Sequence, residues 1–255
     1  MMIYFYEKNS ETQFNYRQPA PSRSTVNISF FVSRGYVVFI PDIVYVDGHP
    51  GESAFNCVCS GAESMCRQFS YIDKSKMAIQ GQSWGGYQTA YLVTRTNMFA
   101  AAGAGAPVGN MTSAYGGIRW ESGNSRIGQY EHGQSRVGTT LWEGLDLYIE
   151  NSPVFHAPFV NTPVLIMHND ADGAVPWYQG IEFFMNLRRL GKPAWLLEYN
   201  NEQHNLSERR NSKDLSIRLS QFFDHYLKGE PLPVWMESGI PYARKGNYFA
   251  TEYAE

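Results

Sequence analysis

The sequence predicts a doubly wound α/β fold. Three observations carry this: short apolar runs recur along the 255 residues, helical or looped stretches separate them, and the runs are continuous rather than alternating in hydrophobicity. Continuous runs are what strands covered on both faces of a parallel sheet show. The helices between them supply the cover.

Six strands are expected, at 1–7 (MMIYFYE), 36–42 (YVVFIPD), 77–83 (MAIQGQS), 100–107 (AAAGAGAP), 163–170 (PVLIMHND) and 194–200 (AWLLEYN). The first is apolar but lacks the basic start and small-residue cleavage site of a signal peptide, so it reads as a strand. Helices are expected over 85–95, over 177–190 with Ile181, Phe184, Leu187 and Leu190 on one face, and over 212–227 with Leu215, Leu219, Phe222, Phe223 and Tyr226. Gly191 and Gly229 stand where the last two should stop. Cys57, Cys59 and Cys66 have neither a nearby histidine nor a fourth thiol to complete a zinc site, and read as buried thiols on a helix. The stretch 108–152, rich in Gly, Ser, Arg and Trp, fits neither period and reads as an insertion or lid over a site.

Composition bounds the function. A hydrophobic fraction of 43% with 17 Tyr, 15 Phe and 6 Trp is ample for one core, and no linker divides 1–255 into two domains. Net charge is −3 without a basic run, which argues against a nucleic-acid stripe or a polybasic membrane patch. No apolar stretch is long enough to span a bilayer. Peptides or small molecules remain as partners. Without a leader the default location is the cytoplasm, and an exported parent protein stays open.

In GQSWGG, Ser83 sits between the end of a strand and the start of a helix. Such a turn is too tight for flanking side chains, and Gly81, Gly85 and Gly86 leave room. This is a nucleophile-elbow arrangement, with backbone N–H groups of the helix start facing any negative charge that develops beside the hydroxyl. A serine hydroxyl needs a base, itself oriented by a carboxylate. The order Ser, acid, His selects His204, in a polar loop before the final helix. His168 lies in an apolar strand and reads as a hydrogen-bonded core residue; His49, His132, His156 and His225 read as structural. Asp172 is the preferred acid because it lies further into its loop than Asp170, which is expected to brace its own turn.

The motifs GQSWGGYQTA, GAGAPVGNMTSAYG, LIMHNDADGAVPWYQG, NNEQHN and FFDHYLKG, in this order, resemble the catalytic domain of the prolyl oligopeptidase family of serine peptidases. The resemblance covers nearly the whole chain. It implies an α/β-hydrolase fold and a triad of Ser83, Asp172 and His204, with no metal or organic cofactor. It also implies an oxyanion hole from the Trp84 N–H and a tyrosine hydroxyl. That tyrosine is taken as Tyr6 rather than Tyr4, two residues earlier on the same strand face, because Tyr6 is nearer the strand end. A substrate pocket would be lined by Trp84, Val108, Met111, Tyr115 and Val175.

The activity implied is peptide-bond cleavage through an acyl-enzyme. A carboxylesterase and an inactive truncated remnant are the alternatives. Three departures from the family stand out. Nothing in the chain would form the family's β-propeller, the first antiparallel hairpin of the sheet is missing, and Ala174 stands where an Arg or Asn often grips substrate. The chain therefore reads as a catalytic-domain fragment or truncated product. Strand 36–42 would then be a free edge, inviting pairing with a second copy.

Overall fold

In the computed structural model, which describes residues 1–254, all six expected strands form and join one sheet. In chain order the strands are β1 (Met2–Tyr4), β2 (Val38–Phe39), β3 (Ala78–Gln82), β4 (Ala101–Gly105), a separate hairpin of β5 (Ile118–Arg119) and β6 (Asn124–Ser125), then β7 (Val164–Met167) and β8 (Ala194–Leu197). The helices are α1 (Ile28–Ser33), α2 (Pro50–Gln68), α3 (Trp84–Arg95), α4 (Met111–Tyr115), α5 (Ile127–Glu131), α6 (Leu145–Glu150), α7 (Tyr178–Arg189), α8 (Arg209–Lys228) and α9 (Val234–Glu237).

The main sheet runs β2-β1-β3-β4-β7-β8 and every pairing in it is parallel. Helices cover both faces. One core gathers Phe5, Ile79, Leu92 and Phe183 under α2, α3 and α7. The other gathers Met2, Leu165, Phe222 and Phe223 under α1 and α8. This is the α/β-hydrolase architecture. From β1 the chain first moves outward to β2, then returns to the far side of β1 for β3. Ligands of open α/β sheets bind beyond the carboxyl ends of strands where the order reverses in this way. Ser83 leaves β3 at that place, and Tyr6 follows the end of β1.

Strand β2 is two residues long, not seven. It has one neighbour, and Pro41 lacks an N–H to continue a ladder. Asp42 instead turns away to accept from the backbone N–H groups of Asn9 (2.6 Å) and Ser10 (3.0 Å). Helix α8 begins at Arg209, earlier than its apolar pattern, because the Glu202 carboxylate accepts from the N–H groups of Ser207 (2.7 Å) and Glu208 (3.0 Å) at its entry. Gly191 and Gly229 end α7 and α8 with φ of +69° and +76°, the left-handed conformation expected of them.

All three cysteines lie on α2, but only Cys59 is buried; Cys57 and Cys66 are partly exposed, so the expectation of three buried thiols holds for one. Residues 108–152 carry α4, the β5–β6 hairpin, α5 and α6. They pack around three tyrosines: the Tyr115 ring lies 6.3 Å from Tyr130 and 5.3 Å from Tyr148. Among the described residues, no helix is long and apolar enough to cross a membrane.

Candidate active site

Ser83 occupies the corner between β3 and α3 with φ +61° and ψ −116°, a conformation that L-residues adopt only when their surroundings force it. The glycines show what forces it. A Cβ on Gly81 would lie 2.4 Å from the Gly85 backbone, one on Gly85 2.5 Å from the Phe5 carbonyl, and one on Gly86 2.0 Å from the Gly105 carbonyl. Helix α3 is therefore pressed against β3, β4 and Phe5 just past β1 at its first turn, and the chain must bend sharply at Ser83. The Ser83 N–H donates to the Gly105 carbonyl at 2.8 Å, which fixes the corner to the neighbouring strand.

Asp172 lies in the turn after β7, with its side chain 1% exposed. Its Oδ1 accepts from the N–H groups of Ala174 (2.8 Å) and Val175 (2.9 Å), so the turn's own backbone aims the carboxylate. Nδ1 of His204 donates to Oδ2 at 2.7 Å. Burial works to raise the Asp172 pKa. Hydrogen bonds from His168 and His204, together with the charges those rings carry when protonated, overcome it and hold the carboxyl well below its ordinary 3.8. The carboxylate is thus ionised at neutral pH.

The loop carrying His204 is tied down at several points. Asn169 donates from Nδ2 to the Gln203 carbonyl at 2.7 Å, and the N–H of Leu206 donates to the Arg23 carbonyl at 2.8 Å. Asp170, expected to brace its own turn, serves this neighbouring loop instead. Its carboxylate accepts from the Asn201 N–H (2.6 Å) and from Asn200 Nδ2 (2.8 Å). The strands β7 and β8 are adjacent, so a side chain leaving one meets the loop leaving the other, a proximity that spacing along the chain does not reveal.

The structure thus joins Asp172 to His204 directly. No hydrogen bond links His204 to the Ser83 hydroxyl among the described residues. The two are connected through Gln82, the residue before the serine, whose Nε2 donates to the His204 carbonyl at 2.8 Å.

Trp84 opens α3, where a helix leaves N–H groups without internal partners. Tyr6 is half-buried and its hydroxyl oxygen accepts from Gln134 Nε2 at 3.1 Å, which leaves the hydroxyl proton available. Tyr4 and Tyr6 pack into opposite cores, contrary to the expectation that they share a face. Strand β1 ends at Tyr4, and the alternation stops with it. The five residues expected to line a substrate pocket, Trp84, Val108, Met111, Tyr115 and Val175, come together in one core cluster, each no more than 3% exposed. The Trp84 indole stacks on Tyr87 at 4.6 Å and donates to the Tyr45 hydroxyl at 2.9 Å.

Sequence reasoning placed His168 in the core, where it is, but missed that it faces Asp172. Its Nε2 lies 3.3 Å from Asp172 Oδ2 and 3.1 Å from the Val175 carbonyl. Away from this site, His49, Glu52 and Glu150 bring possible metal-ligand atoms within 4.8 Å of one another at the partly exposed N-terminus of α2. The His49 Nδ1 and Glu150 already pair at 2.9 Å.

A strained serine at a strand-to-helix corner, an Asp–His pair on the next loops and a parallel sheet between them define a family-level pattern. The model of the prolyl oligopeptidase family matches residues 21–230. The chain belongs to the prolyl oligopeptidase family. Among curated relatives, the uncharacterized peptidase YuxL of Bacillus subtilis is 29% identical over 191 residues, covering 71% of this chain and 27% of that protein. The acylamino-acid-releasing enzyme of Rattus norvegicus is 28% identical over 178 residues, 69% of this chain and 24% of that one. This prolyl oligopeptidase family chain thus spans about a quarter of the length of such relatives. Similar solved structures include a puromycin-hydrolyzing peptidase of Mycobacterium tuberculosis (TM-score 0.72, 20% identity, covering 90% of this chain and 34% of that one). The acylaminoacyl peptidase of Pyrococcus horikoshii gives a TM-score of 0.71 at 19% identity, covering 89% of this chain and 37% of that one. Likeness at this identity establishes the shared fold.

Proposed function

We propose that this chain is a serine peptidase that cleaves peptide bonds by acyl transfer at Ser83. The observation that carries the reading is the 2.7 Å bond between Asp172 and His204, on the loops after β7 and β8, at the same sheet end as a serine held at φ +61°. In the first step the Ser83 hydroxyl oxygen attacks the substrate carbonyl carbon as its proton passes to Nε2 of His204. The Trp84 N–H and the Tyr6 hydroxyl stabilise the resulting oxyanion. His204 then gives that proton to the leaving amine, and the C–N bond breaks to leave an acyl-serine. Water, deprotonated by the same imidazole, releases the acid. Asp172 fixes the tautomer with Nδ1 protonated and stabilises the imidazolium. Apolar side chains around Trp84, Val108, Met111, Tyr115 and Val175 form the floor against which a substrate side chain would rest.

Residues 108–152 act in this reading as a cover over the site. Three contacts support it: Gln134 donates to the Tyr6 hydroxyl, the Glu121 N–H donates to the Gly173 carbonyl at 3.2 Å, and Arg126 donates to the Ala174 carbonyl. Membership of a peptidase family favours an amide over an ester as substrate. Self-association through β2 is a separate reading. A two-residue edge offers few groups for pairing, so a dimer built on it should be weak and should dissociate on dilution in size-exclusion chromatography.

The test is labelling by a fluorophosphonate probe, paired with release of fluorophore from aminoacyl and short peptide amides. The wild-type protein should be labelled and should turn over amides, and Ser83→Ala should abolish both. An unlabelled wild type, or amidase activity that survives Ser83→Ala, overturns the assignment.

A further inference from the structure

Strand β3 carries two glutamines, Gln80 and Gln82, which are 1% and 6% exposed in the middle of the sheet. A position covered on both faces ordinarily takes an apolar residue, and a buried amide is unfavourable unless it is hydrogen-bonded. Both glutamines are spaced two apart and so project to one face of the sheet. Both bond to main-chain groups of loops. Gln80 accepts from the Val26 N–H through Oε1 (3.1 Å) and donates through Nε2 to the Ser24 carbonyl (3.1 Å). Gln82 donates to the His204 carbonyl (2.8 Å).

The two anchored loops are also joined to each other. Ser24 donates from Oγ to Asn205 Oδ1 at 2.6 Å, and Arg23 and Leu206 exchange hydrogen bonds, Nε to carbonyl and N–H to carbonyl, each at 2.8 Å. One glutamine therefore holds the histidine loop directly, and the other holds the segment against which that loop is laced.

The neighbouring strand is built to admit them. In the β3–β4 register Gln80 faces Gly103 and Gln82 faces Gly105. A Cβ on Gly105 would sit 1.9 Å from Gln82 Oε1, and one on Gly103 would sit 3.0 Å from Gln80 Cγ. The glycines of AAGAG thus stand opposite the glutamines of AIQGQ.

We propose that Gln82 is a positioning residue for His204, seated by Gly105 and backed by Gln80, so that a single strand presents the nucleophile and fixes the backbone of its base. The inference rests on the assignment of Ser83 and His204 to one acyl-transfer site. Gln82 touches no reacting atom. It acts by limiting how far the imidazole wanders from the hydroxyl one residue away, and misplacement of a catalytic group by about 1 Å can lower a rate by roughly a hundredfold.

The experiment compares wild type with Gln82→Met, which keeps the length of the side chain and removes the donor, and with Gly105→Ala, whose methyl displaces the amide. Each variant is examined for kcat and KM on a peptide amide, for the rate of fluorophosphonate labelling, and for hydrogen–deuterium exchange over residues 200–206. The thermal midpoint confirms that each is folded. Each single variant should lose about ten- to a hundredfold in kcat and labelling rate with KM within about threefold, and exchange over 200–206 should rise several-fold. In a Gln82→Ala background, Gly105→Ala should add less than about a twofold further loss, because the group it displaces is gone. Unchanged exchange over 200–206 in folded Gln82→Met overturns the proposal, as does a kcat equal to wild type. The exchange readout needs no turnover, so an unreactive wild type with loosened 200–206 in Gln82→Met counts against the peptidase reading while supporting the anchoring.

Discussion

His168 and His204 share one carboxylate oxygen: Asp172 Oδ2 lies 2.7 Å from Nδ1 of His204 and 3.3 Å from Nε2 of His168. The outer imidazole is partly exposed, and the inner one is sealed, 1% exposed, with a Gly180 Cβ position only 2.5 Å from its Nδ1. Gly180 on α7 thus makes the space in which the inner ring lies. The inner ring, whose Nε2 also lies 3.1 Å from the Val175 carbonyl, packs beside the carboxylate and restrains it from swinging. Replacing His168 by Leu leaves the Val175 carbonyl without its buried donor, 3.1 Å away, and takes the imidazole from beside the carboxylate; a buried polar group left unpaired costs about 1–3 kcal/mol. Urea unfolding at neutral pH should report a loss in that range, and kcat should fall by about tenfold with KM little changed. A stability equal to wild type would show that the inner imidazole is only filling.

In the proposed reaction Asp172 contributes through the tautomer of His204. Asp172→Asn keeps the shape but presents an amide that favours the wrong tautomer, for which losses of about 10⁴ in kcat are the precedent in serine hydrolases. The expected outcome is a fall of that order, with the KM for a peptide amide within a few-fold of wild type. Measurement of single-turnover acylation would place the loss in the chemical step.

The same carboxylate shapes acid stability. Its folded pKa lies below the ordinary 3.8, so its contribution is complete above that value and is lost as pH falls through the folded one. Burial opposes this depression and the two imidazole hydrogen bonds produce it. Urea midpoints followed from about pH 6 to about pH 2.5 should decline at the acid end in wild type. Subtracting the Asp172→Asn curve should isolate a component confined to pH values below about 4. A difference curve that is flat there would show that Asp172 titrates alike in the folded and unfolded chains.

How much of this was legible in the sequence follows from which forces are local. All six main-sheet strands and helices α3, α7 and α8 were readable because apolar runs and periodicity record burial directly. The Ser83 corner and the Asp172–His204 pair were readable because each residue ends a strand or follows one in chain order. The ends of β1 and β2 were not, since a strand's length depends on its neighbours, and the side-chain bonds from Asp42 that replace the ladder cross more than 30 residues of chain. For the same reason the roles of Gln82, His168 and Asp170 were hidden. Each acts on the main chain or carboxylate of another loop, and only the order of strands in the sheet brings those loops together. Gly103 and Gly105 did carry a signal, two small residues at period two inside a strand, where a glycine often marks a close approach.

The thiols should differ in reactivity because only one is buried. Burial, reinforced by the nearby Glu63 charge, pushes the Cys59 thiol up to about 12, so almost none of it is thiolate at pH 8. Iodoacetamide at that pH should modify Cys57 in the folded protein and leave Cys59 untouched until urea unfolds the chain, as read by peptide mass spectrometry.

Gly86 tests the packing that creates the corner. An alanine methyl there would sit 2.0 Å from the Gly105 carbonyl, the same carbonyl that accepts from the Ser83 N–H. Neither partner is a flexible side-chain end, so the first turn of α3 must lift from β4. Overpacking of this kind destabilises by about 1–3 kcal/mol, and here the displacement is transmitted to Ser83. Gly86→Ala should lose stability in that range by urea unfolding and lose fluorophosphonate labelling by well over tenfold. An alanine at 116, where a Cβ meets nothing within 4 Å, should leave both nearly unchanged. Full labelling of Gly86→Ala would mean that the serine does not depend on the contact between α3 and β4.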